Sequence, residues 1–212
     1  MLDQIQVVAA GIGVTLGITL LAFAVGAVLG VPLVAASRSR WLPVRLATSF
    51  VVDLLRAVPP IVWLFILFYG LSQQVTLAAY PAAVLGLGVV SAAYMSEIYR
   101  GGLLAVRRQQ WEAGAALGLK RHQVMVTVIA PQAVRVVLPG AATWAIALLK
   151  ETAVVSVIGV QDITFRAVAE ARDSVDGLQV FIIAGLLYIL LSVPIAALAR
   201  WTDTRVSRAV AR

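Results

Sequence analysis

Gln110-Trp111-Glu112-Ala113-Gly114-Ala115-Ala116-Leu117-Gly118-Leu119 lies near the centre of a long basic connection, 100–135, that separates two apolar runs. Glu112, near its start, suits the positive end of a short helix; small residues follow, and Gly118 is placed to stop it. Covered in alanine and glycine, such a helix presents a low-relief surface that fits closely into another protein's groove, with Trp111 and Leu117 as larger anchors. Taken alone, the stretch also fits an amphipathic helix resting on a membrane surface. A second helical stretch is expected from about Arg121, before Pro131 and Pro139 interrupt and re-aim the chain.

Outward from this connection the chain is apolar. Of its 212 residues 61% are hydrophobic and only 13% charged, with a mean hydropathy of +0.96, too little polar surface to clothe a soluble domain of this length. Five runs, 7–36, 49–71, 77–99, 136–160 and 178–199, each exceed the roughly 20 helical residues that cross a bilayer's hydrocarbon core. They lack the strict alternation of barrel strands, so the need to satisfy every backbone group within lipid makes them helices. The expected fold is an all-α integral membrane protein, one domain over 1–212, with five transmembrane helices and a helical connection at 100–135. Asp3 precedes the first run with no Lys or Arg beside it, the opposite of a cleaved secretory signal, and a retained helix is expected. The glycines of that run, Gly11, Gly13, Gly17, Gly26 and Gly30, are read as sites of close helix packing.

Lys and Arg fall unevenly between the runs. Arg38, Arg40 and Arg45 follow the first, six basic residues occupy 100–135, and four lie in the tail from Arg200. On the other side the connection 72–76 holds none and the fourth connection only Arg166 and Arg172, among Asp162, Glu170, Asp173 and Asp176. By the positive-inside rule this thirteen-to-two asymmetry puts the N-terminus outside and the C-terminus in the cytoplasm. The net charge of +7 forms no compact basic face interleaved with aromatic side chains, which argues against nucleic acid as a partner. With no cysteine, and with the one histidine, His122, among Lys120, Arg121 and Gln123, no metal site is expected.

The run Glu112-Ala-Gly-Ala-Ala-Leu-Gly118, continued through Ile129-Ala-Pro131-Gln-Ala133 to Leu138-Pro139, resembles the EAA loop of ABC importer permeases. Gly114 departs from that pattern where a second alanine is common, and Ala130 where an aliphatic such as leucine is more usual. Asp53-Leu-Leu-Arg56-Ala-Val-Pro59, Glu97-Ile-Tyr-Arg100-Gly-Gly102 and Leu148-Leu-Lys150-Glu151-Thr152 to Ser156-Val-Ile-Gly159-Val160 are similar to the polar amino-acid branch, the histidine, glutamine and arginine permeases. The resemblance implies the type I importer fold, five helices per subunit, paired about a two-fold axis with a second copy or a similar permease subunit. It implies that Trp111, Glu112, Ala113, Gly114, Ala115, Ala116, Leu117 and Gly118 form the coupling helix that inserts into a partner ATPase. Two ABC ATPase subunits using ATP and Mg, an extracytoplasmic or periplasmic binding protein that delivers a polar amino acid, and a place in the bacterial inner membrane follow from it. The chain contains no Gly-Lys pair and so no phosphate-cradling loop; ATP must be hydrolysed by another chain, and no cofactor is expected on this one.

Five ionisable residues, Asp53, Arg56, Glu97, Lys150 and Glu151, lie within or at the ends of the runs. Asp53 and Arg56 stand about 6 to 11 Å along a helix starting near Ser49, spaced to pair locally, and Glu97 and Arg100 share that spacing; both are candidate structural or gating pairs. Lys150 and Glu151 come about 18 Å after Pro139, near mid-bilayer, where a charge costs at least about 2.5–3.5 kcal/mol and should face the bundle interior or a water-filled cavity. Lys150, Glu151, Thr152 and Ser156 are therefore candidate pathway residues: Glu151 for a substrate ammonium, Thr152 and Ser156, on one face at i, i+4, for hydrogen bonds. A purely structural polar cluster is the alternative. Rival functions are a permease for another small polar solute, a stand-alone oligomeric channel, which leaves the EAA-like loop unexplained, and an intramembrane enzyme, for which no catalytic cluster exists.

Overall fold

The computed structural model describes residues 2–70 and 77–210, so the expected connection at 72–76 lies outside the described residues. Helix α1 (Leu2–Ala9) turns at Ala10 and Gly11 into α2 (Ile12–Ser37), and α3 (Leu42–Ala57) is followed by α4 (Pro60–Gly70). Then come α5 (Ala79–Ala105), α6 (Arg108–Ala116) and α7 (Arg121–Val124). A π-helical turn, Met125–Ile129, leads into α8 (Ala130–Glu151), which tightens into a 3-10 stretch, Thr152–Ile158; α9 (Ile163–Asp173) and α10 (Gly177–Val210) complete the order. Four stretches, Leu2–Ser37, Ala79–Ala105, Arg121–Ile158 and Gly177–Ala197, are each long and apolar enough to cross a membrane; counting α3 and α4 as one bent crossing makes five.

That bend is 100°, so the stretch read as one run over 49–71 is two helices, the first beginning at Leu42. Its cause is in the sequence. Pro59 and Pro60 have no N–H to donate to the carbonyls of Leu55 and Arg56, and Val58, ahead of them, takes an extended conformation at φ −92° and ψ 132°. The indole N–H of Trp63 on α4 donates to the Leu55 carbonyl at 3.2 Å, replacing the bond that Pro59 cannot make. Pro131 and Pro139 do not interrupt the chain as expected. Pro131 follows directly on the π-helical turn Met125–Ile129 within the continuous helical stretch Arg121–Ile158, and Pro139 is carried inside α8, as membrane helices tolerate.

The core is built on the close approach of α2 to α5. A Cβ on Gly26 would collide with Ser91, one on Gly30 would lie 2.9 Å from the Met95 Cβ, and one on Gly88 2.7 Å from a methyl of Val25. Of the glycines read as packing sites, Gly13 alone faces open space. Ile18, Ala22, Leu64, Leu87, Met95 and Leu148 fill the centre, and a second cluster around Val8, Ile163, Ala167 and Val180 holds α1, α9 and α10 together. Large apolar side chains such as Leu20, Val28, Leu186 and Leu190 remain exposed, as lipid-facing helix surfaces require.

Candidate functional site

Helix α6 starts at Arg108, so Glu112 lies a full turn inside it and not at its positive end. The carboxylate instead accepts a bond from Arg108 Nε at 3.0 Å, an exposed pair one turn apart. The C-terminus closes as the glycine pattern requires. Gly118 adopts φ +73°, its N–H donates to the Ala115 carbonyl at 3.0 Å, and the Leu119 N–H reaches back to the Gly114 carbonyl at 3.1 Å, the two bonds of a Schellman cap.

Gly114 is buried, and a Cβ there would lie 2.6 and 2.8 Å from the two methyls of Val124 on α7. Its departure from the family pattern thus has a packing reason: the space of an alanine methyl is already filled by Val124. Glu112, Ala113, Ala115, Ala116, Leu117 and Gly118 are all exposed, Leu117 to 78%, while Trp111 is half-buried. Trp111 borders a cavity of about 490 Å³ ringed by Arg38, Arg108 and Arg121. The outcome is a flat, small-residue surface with one projecting leucine and basic flanks.

At one end of α5, Glu97 accepts two bonds from Arg100, at 2.9 and 2.6 Å. Arg56 reaches the same carboxylate from α3 at 3.7 Å. Arg56 therefore pairs across helices with Glu97, and the local pair with Asp53 that the spacing allowed does not form. The Arg56 guanidinium also lies 5.3 Å from the centroid of the Tyr94 ring, which stacks on Trp144 at 3.9 Å and 12°. Trp144 Nε1 donates to Ser91 Oγ at 2.8 Å. Sequence reasoning did not find Tyr94, Trp144 or Ser91, because no local pattern announces a contact between residues so far apart in the chain. Asp53, Glu97 and Arg100 border a cavity of about 320 Å³ together with Arg45 and Ser49.

The four candidate pathway residues are not gathered at one cavity. Thr152 is fully buried and donates to the Leu149 carbonyl at 2.7 Å; Ser156 donates to the Ala153 carbonyl at 2.8 Å. Both sit in the 3-10 stretch, where four residues turn the chain well past one revolution, so they do not share a face as an α-helix would have given. Lys150 is exposed and borders a cavity of about 250 Å³ beside Tyr188 and Ser192 on α10, while Ser156 borders another of about 320 Å³ beside Phe165 and Arg172. Glu151, half-buried at the last residue of α8, has no ion pair among the described residues.

A second polar cluster lies just beyond the 3-10 stretch. Asp162 is fully buried and caps α9: its Oδ1 accepts from the Phe165 N–H at 2.7 Å, and its Oδ2 from the Tyr188 hydroxyl at 3.2 Å. Tyr188 also lies 2.9 Å from Thr164 Oγ1, and the Ile163 N–H donates to Thr15 Oγ1 at 3.3 Å. Gly11, at the turn between α1 and α2, abuts this backbone; a Cβ there would be 2.5 Å from the Asp162 carbonyl carbon. Burial pushes the Asp162 carboxyl up to about 6, against the opposing pull of its hydrogen bonds from Phe165, Thr164 and Tyr188. An Asp just before an apolar, helix-forming run is a readable N-cap signal; its burial is not.

Residues 26–208 match the family described as binding-protein-dependent transport system inner membrane component. The chain belongs to this family. As a permease of this kind it is the membrane component of ABC importers, in which a separate subunit hydrolyses ATP and a binding protein delivers the cargo. The permease is 34% identical to the L-cystine transport system permease protein TcyB of Bacillus subtilis (strain 168), over 97% of this chain and 89% of that one. It is 32% identical to the arginine transport system permease protein ArtQ of the same organism, over 90% and 88%. Its fold superimposes with a TM-score of 0.90 on a crystal structure of an amino acid ABC transporter with histidines, 31% identical and covering 97% of this permease and 96% of that chain. It is a multi-pass membrane protein.

Proposed function

We propose that this permease forms the translocation pathway for a polar amino acid, paired with a second copy or a similar permease and driven by two ATPase subunits that use ATP and Mg. The N-terminus faces outward and the C-terminus the cytoplasm. An extracytoplasmic binding protein presents the amino acid at the outer mouth; closure of the ATPases on ATP pulls the α6 segments together and turns the pathway inward. The observation that carries this reading is the exposed surface from Glu112 to Gly118, flat except for Leu117, closed by its glycine cap and braced from behind by Val124. Glu151 is the candidate for the substrate ammonium, because a half-buried carboxylate in a membrane helix, with no ion partner among the described residues, is costly unless it has a function. Lys150, Thr152 and Ser156 serve as its neighbours along the chain and not as a single binding constellation.

The test is ATP hydrolysis by the purified complex in lipid, titrated with the binding protein and with a panel of amino acids that includes arginine, histidine, glutamine and cystine. Stimulation that needs both the binding protein and a polar amino acid supports the proposal. Stimulation by a different class of solute assigns the permease another cargo, and hydrolysis indifferent to both components overturns it.

A further inference from the structure

One run of contacts links the end of α3, at its elbow with α4, to α8, beside the general packing of α3 and α4 against α2 and α5. Arg56, in the last turn of α3, reaches Glu97 on α5 at 3.7 Å and covers the Tyr94 ring at 5.3 Å. Tyr94 stacks at 3.9 Å on Trp144, which α8 carries and Ser91 anchors at 2.8 Å. Helix α8 belongs to the helical stretch Arg121–Ile158, which starts at α7, and α7 packs directly against α6 through Val124 and Gly114. Resting on the importer reading, we propose that Arg56 is a positioning residue for transport, carrying displacement of the α6–α8 segment through Trp144 and Tyr94 to the elbow of the bent crossing.

Three physical features fit that role. Flat rings at van der Waals separation pass on a sideways push because packed interiors are close to incompressible. The tether to Glu97 is loose: Arg100, on the same helix as Glu97, takes the carboxylate with two short bonds and leaves Arg56 one longer contact, which is readily broken and remade. The elbow itself is soft. Two prolines remove its ladder bonds and the Trp63 indole supplies one in return, so bending there costs less than bending an unbroken helix, and small shifts at a break of this kind are amplified into rigid-body movement.

The experiment measures amino-acid uptake per ATP hydrolysed in proteoliposomes holding the permease, its ATPase and its binding protein. The probe is radiolabelled arginine, histidine, glutamine or cystine, whichever the parental complex takes up; a parental complex that takes up none counts against the proposed cargo class and not against Arg56. Arg56→Gln is expected to retain the ATPase through purification and to keep basal hydrolysis, yet to lose at least about tenfold in uptake per ATP. Arg56→Lys, which keeps a cation over the Tyr94 ring, is expected to retain most of it. Tyr94→Leu removes the ring and should reproduce the loss, and the variant with both Arg56→Gln and Tyr94→Leu should be no worse than the poorer single one, because the same link is cut twice. A parental uptake ratio in Arg56→Gln, or single losses that multiply in the double variant, overturns the proposal. If Arg56→Gln does not assemble, Tyr94→Leu alone decides: the tenfold loss supports the role and a parental ratio ends it.

Discussion

Asp162 shows how one buried carboxylate can set a pH dependence. Burial pushes its carboxyl up to about 6 from the ordinary 3.8, so the folded state binds this proton more tightly than the unfolded one. The stability it lends is therefore complete below about pH 4 and is lost as pH rises through about 6, by up to about 3 kcal/mol. Asp162→Asn keeps an acceptor for the Phe165 N–H but removes the titration. Between pH 4 and 7 the thermal midpoint of the parental complex should fall relative to that of Asp162→Asn; parallel curves would show that Asp162 does not titrate in this range. Glu151 is tested by function. Glu151→Gln should leave ATPase attachment intact and impair uptake, or shift preference among the amino acids of a panel, because only the membrane interior loses a charge. Unchanged uptake of every amino acid would make Glu151 structural. Gly118→Val forces a β-branched residue into φ +73°, at about 1–2 kcal/mol or more, although the added Cβ meets nothing within 4 Å inside the chain. The helix end should loosen, and uptake should fall while membrane insertion is unchanged, as read by membrane fractionation beside the uptake assay.

At the scale of elements, α6 and α7 act as one unit because Gly114 receives Val124. Gly114→Ala, which brings the sequence nearer the EAA-loop pattern it resembles, should overpack this contact and cost about 1–3 kcal/mol. Combining it with Val124→Ala should recover much of the loss, and thermal denaturation of the purified permease measures both. A harmless Gly114→Ala would mean that α7 shifts freely against α6. These elements also show what the sequence made legible. Gly118 as a helix stop, the Ala/Gly surface and the pairing of Glu97 with Arg100 depend on neighbours along the chain, and all could be read. The elbow was signalled by Pro59-Pro60 but hidden by the unbroken hydropathy of the run around it. Glu112 reads as nearer its helix start than it is, because the boundary depends on Arg107 and Arg108, which carry no capping signal. The shared face expected of Thr152 and Ser156 fails for a related reason: their spacing fits an α-helix, whereas the chain winds them as a 3-10 stretch. Partners from distant helices, Arg56 with Glu97 and Tyr94 with Trp144, follow only from how the helices pack.

For the whole molecule, orientation and partnership are what matter. Tags placed at Asp3 and at the exposed turn around Val175 and Asp176 should be reachable from outside the cell, and one at the C-terminus only after the membrane is opened; the reverse pattern would contradict the orientation drawn from the basic residues. The central claim is that the α6 surface is where the ATPase docks. Because the chain contains no cysteine, a single introduced thiol reports its own surroundings without background. Leu117→Cys, on the projecting residue of α6, is to be labelled with a short reagent that is thiol-reactive at one end and photoactivated at the other, so that its second bond forms to whatever chain lies beside it, in membranes that hold the whole transporter, beside Leu190→Cys on an exposed apolar face of α10. The predicted result is a covalent product of permease and ATPase subunit from Leu117→Cys and none from Leu190→Cys. An ATPase that copurifies with the permease yet never cross-links to Leu117→Cys would contradict the account.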